Sequence, residues 1–136
     1  MDKKGNFKPE DITPSLDSVA YTLKKEKGIL SSLTQLAYLN GAKEFINGRR
    51  TLPCSAGEES VFIDALGDVY PCIVMNHKMG NIYRNTLKDI MSSPSSHEAR
   101  EIIQSLECPT CWLECDAYRD IRKNKELLIS ALMNWR

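Results

Sequence analysis

The sequence predicts an α+β fold in which N-terminal helices and a C-terminal helix flank a small β-hairpin module. Three observations lead there. Apolar residues recur at helical spacing before residue 50 and again after Cys115, whereas β-prone runs with a tight turn between them occupy the middle of the chain. Three of the five cysteines, Cys108, Cys111 and Cys115, fall within eight residues, too dense and too open to oxidation to be filler. The other two, Cys54 and Cys72, bracket the hairpin, so thiols and strands belong to one module. The chain divides accordingly into a helical lead-in, 1–50, and a thiol-bearing domain, 51–136.

Taken in order, residues 1–13 are polar, and Pro9 and Pro14 make them a loose lead-in. Ser15 is placed to cap a short helix carrying Leu16, Val19, Ala20 and Leu23 on one face, ended by Gly28. A stronger helix follows from about Leu30 to Ile46, with Leu33, Leu36, Ala37, Ala42, Phe45 and Ile46 along a stripe. Asn47-Gly48 stops it, and Arg49 and Arg50 put cations where the helix end favours them. These apolar stripes need a surface to cover them: a preceding domain, a second copy of the chain or another partner, or else each other and the Ala117–Leu132 helix. From Cys54 onward the pattern changes. Ser60–Asp64 and Val69–Ile73 read as strands joined through Gly67, and Pro71 marks a strand end because it cannot donate to the ladder. Gly80–Tyr83 is a third extended piece. Thr86 opens a helix through Met91, and a second spans about Ser95–Leu106, capped by Ser95 or Ser96. One last helix after Cys115 carries Ala117, Ile121, Leu128 and Leu132 on one face.

The totals exclude several functions. Eighteen basic residues balance eighteen acidic ones, which argues against bulk electrostatic capture of nucleic acid. No apolar run is long enough for a membrane span. The two N-terminal lysines have no apolar core behind them, so no secretory signal is expected, and the thiols are assigned to a reducing cytoplasm. An odd cysteine count also fits poorly with a closed disulfide framework. No Ser/His/Asp set, phosphate loop or paired-carboxylate motif occurs, so the chain has no complete catalytic site of its own.

What remains is the thiols. A Cys-x-x-Cys turn such as Cys108–Cys111 brings two thiolates to one centre with little strain, and Cys115 sits one helical turn further on. A hairpin brings its ends together, which lets Cys54 and Cys72 face the same centre. Four thiolates suit tetrahedral zinc, as in a zinc-stabilised interaction domain, or an iron–sulfur cluster alike on ligand chemistry. Seventeen residues separate Cys54 from Cys72, wider than the knuckles of a zinc ribbon, and this leans towards a cluster. A thiol–disulfide role for Cys108 and Cys111 lacks the βαβ surroundings that such pairs need.

The series Cys54, Gly67-Asp68-Val69-Tyr70-Pro71-Cys72, Gly80-Asn81-Ile82, Leu87-Lys88-Asp89-Ile90 and Cys108-x-x-Cys111-x-x-x-Cys115 resembles the SPASM/twitch domain, the auxiliary-cluster module of many radical SAM enzymes. The likeness covers roughly Leu52 to Tyr118, and residues 15–50 resemble the closing helices of the partial barrel that precedes such modules. A full SPASM domain carries seven cysteines for two clusters against five here, so the chain is nearer the shortened twitch form. The resemblance implies one auxiliary [4Fe–4S] cluster on Cys54, Cys72, Cys108 and Cys111, with Cys115 as the second candidate ligand. It also implies electron transfer or substrate positioning beside a radical SAM catalytic domain or protein, acting on a peptide or a small molecule. The Cys-x-x-x-Cys-x-x-Cys loop that binds S-adenosylmethionine is missing from these residues, so this chain alone is not expected to bind or cleave it. The chain then reads as the C-terminal piece of such an enzyme, or as a free-standing relative.

Other residues have plainer readings. His77 is expected in a solvent-facing loop and His97 on a helix surface. Trp112, between two thiols, either shields the site or simply packs. Tyr70 and Tyr118 read as core or rim, and Asp64 and Asp68 as turn residues bonding their own backbone.

Overall fold

The first helix starts earlier than Ser15. The structure is a computed structural model that describes residues 8–50 and 52–133, and in it α1 spans Pro9–Lys27. The Asp11 carboxylate accepts the Lys8 backbone N–H at 3.3 Å, and Glu10 and Asp11 put negative charge on the first turn, where the helix dipole favours it. Pro14 lies inside α1 and removes one N–H from its ladder rather than ending it. The expected loose lead-in is therefore helical from Pro9 onward, while its residues 1–7 lie outside the described residues. Gly28, at φ 74°, separates α1 from α2, Ile29–Ile46.

The chain forms two units, Met1–Leu52 with Ala117–Arg136, and Pro53–Asp116. In the first, α2 packs on α1 and on α6, Lys125–Met133. The buried Ser32 hydroxyl donates to the Leu23 carbonyl at 3.2 Å, and Lys43 pairs with the Asp17 carboxylate. Tyr38 meets Tyr118 edge-on at 5.0 Å. Leu36, Ala37 and Leu39 are buried, whereas Val19, placed on the α1 stripe by its spacing, is 49% exposed.

The expected single C-terminal helix is two: α5, Glu114–Lys123, and α6. Asn124 makes the break, since its Oδ1 accepts the Leu127 N–H at 3.1 Å and caps a new helix. The break changes the phase of the apolar face. Ala117 and Ile121 are buried as their spacing predicts, but beyond Asn124 the buried residue is Ala131, and Leu132 is exposed.

The second unit is built on three short antiparallel strands in the order β1-β2-β3. They are β1, Phe62–Ile63, β2, Asp68–Tyr70, and β3, Gly80–Asn81, all shorter than the runs in the sequence. Phe62 pairs with Tyr70 and Val69 with Gly80. β2 stops at Tyr70 because Pro71 has no N–H to extend the ladder. Such a ladder is marginal alone, and packing sustains it. Ala56, Val69, Met75, Met79, Ile90, Ala99 and Ile103 form one core, with Val69 fully buried. The last four come from β3's lead-in and from α3, Leu87–Met91, and α4, Pro94–Gln104.

Thr86 caps α3 as expected, its hydroxyl accepting the Asp89 N–H at 3.2 Å. The cap of α4 is Ser93, which accepts the Ser96 N–H, not Ser95 or Ser96. Those two serve other contacts: Ser96, fully buried, donates to the Ile90 carbonyl at 2.5 Å, and Ser95 donates to the Lys78 carbonyl at 2.9 Å. α4 ends with Leu106 in the left-handed region at φ 62°. The Glu107 N–H bonds the Ile102 carbonyl and the Leu106 N–H the Ile103 carbonyl, the Schellman arrangement usually built on glycine. Among the described residues no helix is long and apolar enough to cross a membrane.

One tight joint in this unit lies between β3 and α3. A Cβ on Gly80 would stand 2.8 Å from Ile90 Cγ1 and 3.1 Å from Cγ2, and Ile90 is a core residue with nowhere to move. Gly80→Ala is therefore predicted to lower unfolding stability by about 1–3 kcal/mol, the cost of overpacking. Combining it with Ile90→Ala, which removes the Cγ atoms that the new Cβ would meet, should cost less than the sum of the single changes, as measured by a urea-unfolding double-mutant cycle.

Candidate thiol centre

All five cysteines are thiols rather than disulfides, and all five fall in the second unit. Three of them pack against one core. Cys54, Cys72 and Cys108 are half-buried and pack against the core formed around Val69. Each arrives by a different route. Cys54 precedes the turn at Ala56–Glu59, Cys72 follows Pro71 just past the end of β2, and Cys108 follows the αL residue that turns the chain out of α4. Cys111 is half-buried in the irregular connector to α5, and Cys115 is exposed in the first turn of α5. Among the described residues no three His, Cys, Asp or Glu side chains converge closely enough to hold a metal ion. The thiols are thus brought to one unit, three of them to one core, but not to one point.

The segments that carry the thiols are tied down by polar side chains. Arg100 on α4 donates to the Gly57 carbonyl at 3.2 Å and to the Met91 carbonyl at 3.2 Å, linking the Cys54 loop to the end of α3. The buried Asp116 accepts from the Ser60 hydroxyl at 2.8 Å, so the start of α5 is joined to the lead-in of β1. Its other oxygen lies 3.6 Å from Cys115 Sγ. Desolvation at that sulfur, then the adjacent Asp116 charge, push the Cys115 thiol above its ordinary value.

The hairpin turn has its own electrostatic lock. Asp64 Oδ1 accepts the N–H groups of Leu66 and Asp68 at 2.9 Å each, the turn role its position predicts. Asp68 does more. It receives Asn81 Nδ2 at 2.5 Å and Lys78 Nζ at 2.7 Å. The Asn81 hydrogen bond first, then that from Lys78, hold its carboxyl below the usual range. Asn81 Nδ2 also donates to the Leu66 carbonyl at 3.0 Å, which fixes β3 to the β1–β2 turn. The turn position of Asp68 is legible in the sequence, but this pairing is not, because it joins residues brought together only by the sheet.

His77 is not the solvent-facing residue expected from its loop. Its Nε2 lies 3.1 Å from both the carbonyl and the hydroxyl oxygen of Ser95, and only 20% of its side chain is exposed. His97 is exposed, as expected, with Nδ1 3.1 Å from Arg100. Trp112 is half-buried, and Tyr70 faces Phe62 across the sheet. Arg100 and Asp116 left no signal in the sequence, since a helical arginine and an aspartate beside a cysteine are ordinary surface residues until the fold brings carbonyls and Ser60 to them.

The donor set can be tested against the groups it suits. Soft thiols, half-buried against an apolar core, match the ligand chemistry of iron–sulfur clusters, whose potential responds to burial and nearby dipoles. The comparisons point the same way. A family model described as an iron–sulfur cluster-binding domain, SPASM, matches residues 54–127. No curated protein and no solved structure matches the chain.

The Asp68 lock carries a pH signature. Because its carboxyl is held below the unfolded value of 3.8, the stability it contributes is complete above that value and is lost as pH falls through the folded one. The stability gap between the parent and Asp68→Asn is predicted to be flat between about pH 5 and 7 and to close below about pH 4. Urea unfolding of both chains across that range checks it.

Proposed function

From the premise that the chain belongs to the SPASM family of iron–sulfur cluster-binding domains, we propose that it holds one auxiliary [4Fe–4S] cluster serving a radical SAM catalytic domain or protein. Cys54, Cys72, Cys108 and Cys111 are the proposed ligands, and Cys115 is the second candidate for the fourth place. The observation that carries this reading is the packing of Cys54, Cys72 and Cys108 on one core within the matched residues. When bound, such a cluster supplies a one-electron couple, which suits it to electron transfer with a substrate radical or to positioning of the substrate.

The chain's own residues have definite tasks in this reading. The core around Val69 and Met79 keeps water from one side of the three thiols. Arg100 holds the Cys54 loop, and Pro71 ends β2 so that Cys72 leaves the ladder at the core's edge. The Schellman turn at Leu106 directs Glu107-Cys108 away from the axis of α4. The partner domain, the peptide or small-molecule substrate and the cytoplasmic setting belong to the same proposal, as does self-association through the N-terminal helices where no barrel covers them. Of their apolar stripes, Val19 on α1 is half-exposed, while Leu36 and Ala37 on α2 are already buried within the unit. With ligation complete by protein thiolates, no iron is open to S-adenosylmethionine, and its cleavage falls to the partner.

Single substitutions test the ligand set. Cys54→Ala, Cys72→Ala, Cys108→Ala and Cys111→Ala are each predicted to abolish stoichiometric iron after anaerobic reconstitution, while Cys115→Ala keeps most of it. Iron retained by Cys111→Ala and lost by Cys115→Ala would move the fourth ligand to Cys115. A zinc-loaded, colourless parent would replace the proposal with a zinc-stabilised interaction domain built on four thiolates.

A further inference from the structure

Beside Cys72 the outer side of the hairpin opens a cleft of about 240 Å³. Its lining, which includes Cys72, combines an aromatic pair with a fixed carboxylate. Phe62 and Tyr70, cross-strand partners, set two aromatic rings 6.3 Å apart and tilted by 39°. The Asp64 side chain also lines the cleft, and its Oδ1 is fixed by the two backbone N–H groups of its turn. The carboxylate is therefore held in place before anything binds, which lowers the cost of recognition. Ile73 and Val74, both exposed, supply an apolar wall, with Met75 buried behind them.

We propose that this cleft binds a primary ammonium carried on an aliphatic stem, as a lysine side chain presents it. Each part of the lining selects for that chemistry. Aromatic faces attract a cation through their quadrupoles. A fixed carboxylate adds charge-assisted hydrogen bonding, and the Ile73–Val74 wall covers the methylenes. An anion would meet Asp64, and a neutral apolar group would desolvate the carboxylate with nothing in return. Among the described residues no cation of the chain pairs with Asp64, whereas Asp68 four residues on has Lys78. The volume lies below the range of pockets that enclose whole drug-sized ligands, so the cleft takes one side chain of a larger molecule. Because Cys72 also lines the cleft, the proposed binding rests on a group held at Cys72 leaving the Phe62–Asp64 side open, and the same titration on metal-free chain separates a cleft blocked by that group from one without ammonium preference.

Ligand-observed NMR titration of the metal-loaded full chain tests it. The probes are Nα-acetyl-lysine methylamide and the matching norleucine compound, which keeps the stem and lacks the ammonium. The lysine probe is expected to bind saturably and the norleucine probe at least about five-fold more weakly. Asp64→Asn, which retains the Oδ1 acceptor for the turn, is expected to erase that preference. Phe62→Leu is expected to weaken lysine binding about two- to five-fold. Equal affinity for the two probes, lysine binding unchanged in Asp64→Asn, or no saturable binding by the parent would each overturn the proposal. If Asp64→Asn fails to fold, the comparison of the two probes on the parent and Phe62→Leu still decides it.

Discussion

The second unit depends on the burial of Val69. β2 has three residues and its neighbours two each, so ladder hydrogen bonds alone leave the sheet marginal. Val69 in the middle of β2 is buried completely, and its carbonyl accepts the Met79 N–H at 2.7 Å. Met79, Met75, Ile90, Ala99 and Ile103 close around it. Burial of side chains of this size is worth roughly 1.5–3 kcal/mol each, which outweighs the few hydrogen bonds of the strands. The same core receives Cys54, Cys72 and Cys108. Whatever holds the sheet together therefore also sets where these thiols lie.

Polar side chains perform a second task, fixing segments that the core cannot reach. Arg100 bonds two carbonyls of different segments, Asp116 bonds Ser60, and Asn81 bonds both Asp68 and the Leu66 carbonyl. None of these pairs is local in sequence except Arg100 with Met91. Loops carrying function are ordinarily the mobile parts of a fold. Here polar anchors hold the Cys54 loop and the start of α5, so ordering them does not fall on a bound metal alone. The first unit follows plainer rules, with α2 covered by α1 and α6 and a buried serine pinning α2 to the end of α1.

Much of this was legible in the residues. The α+β class, α2, the hairpin with Gly67, the Thr86 cap and the strand end at Pro71 followed from periodicity and from the chemistry of glycine and proline. The SPASM resemblance, stated on Gly67–Cys72 and Gly80–Ile82, agrees with the family match over 54–127. Other features were hidden for physical reasons. Pro14 reads as a break, yet α1 runs through it, because packing on α2 and the acidic first turn outweigh one lost hydrogen bond. Asn124 reads as one more polar helical residue, and only the fold shows its side chain capping α6. His77 was expected in water because nothing local foretells Ser95, eighteen positions on, beside it. The cysteines show the same division: their spacing announces metal chemistry, but which of them reach the core depends on the long-range packing around Val69.

The proposed function rests on these thiols holding an iron–sulfur cluster of the cubane type. Mössbauer spectroscopy of the full chain, reconstituted anaerobically with iron-57 and sulfide, tests it most directly when combined with iron and sulfide analysis. About four irons and four sulfides per chain, in a single spectral component of tetrahedral sulfur-ligated iron, are expected. A chain that takes up no iron under those conditions, or that carries one zinc and stays colourless, would contradict it.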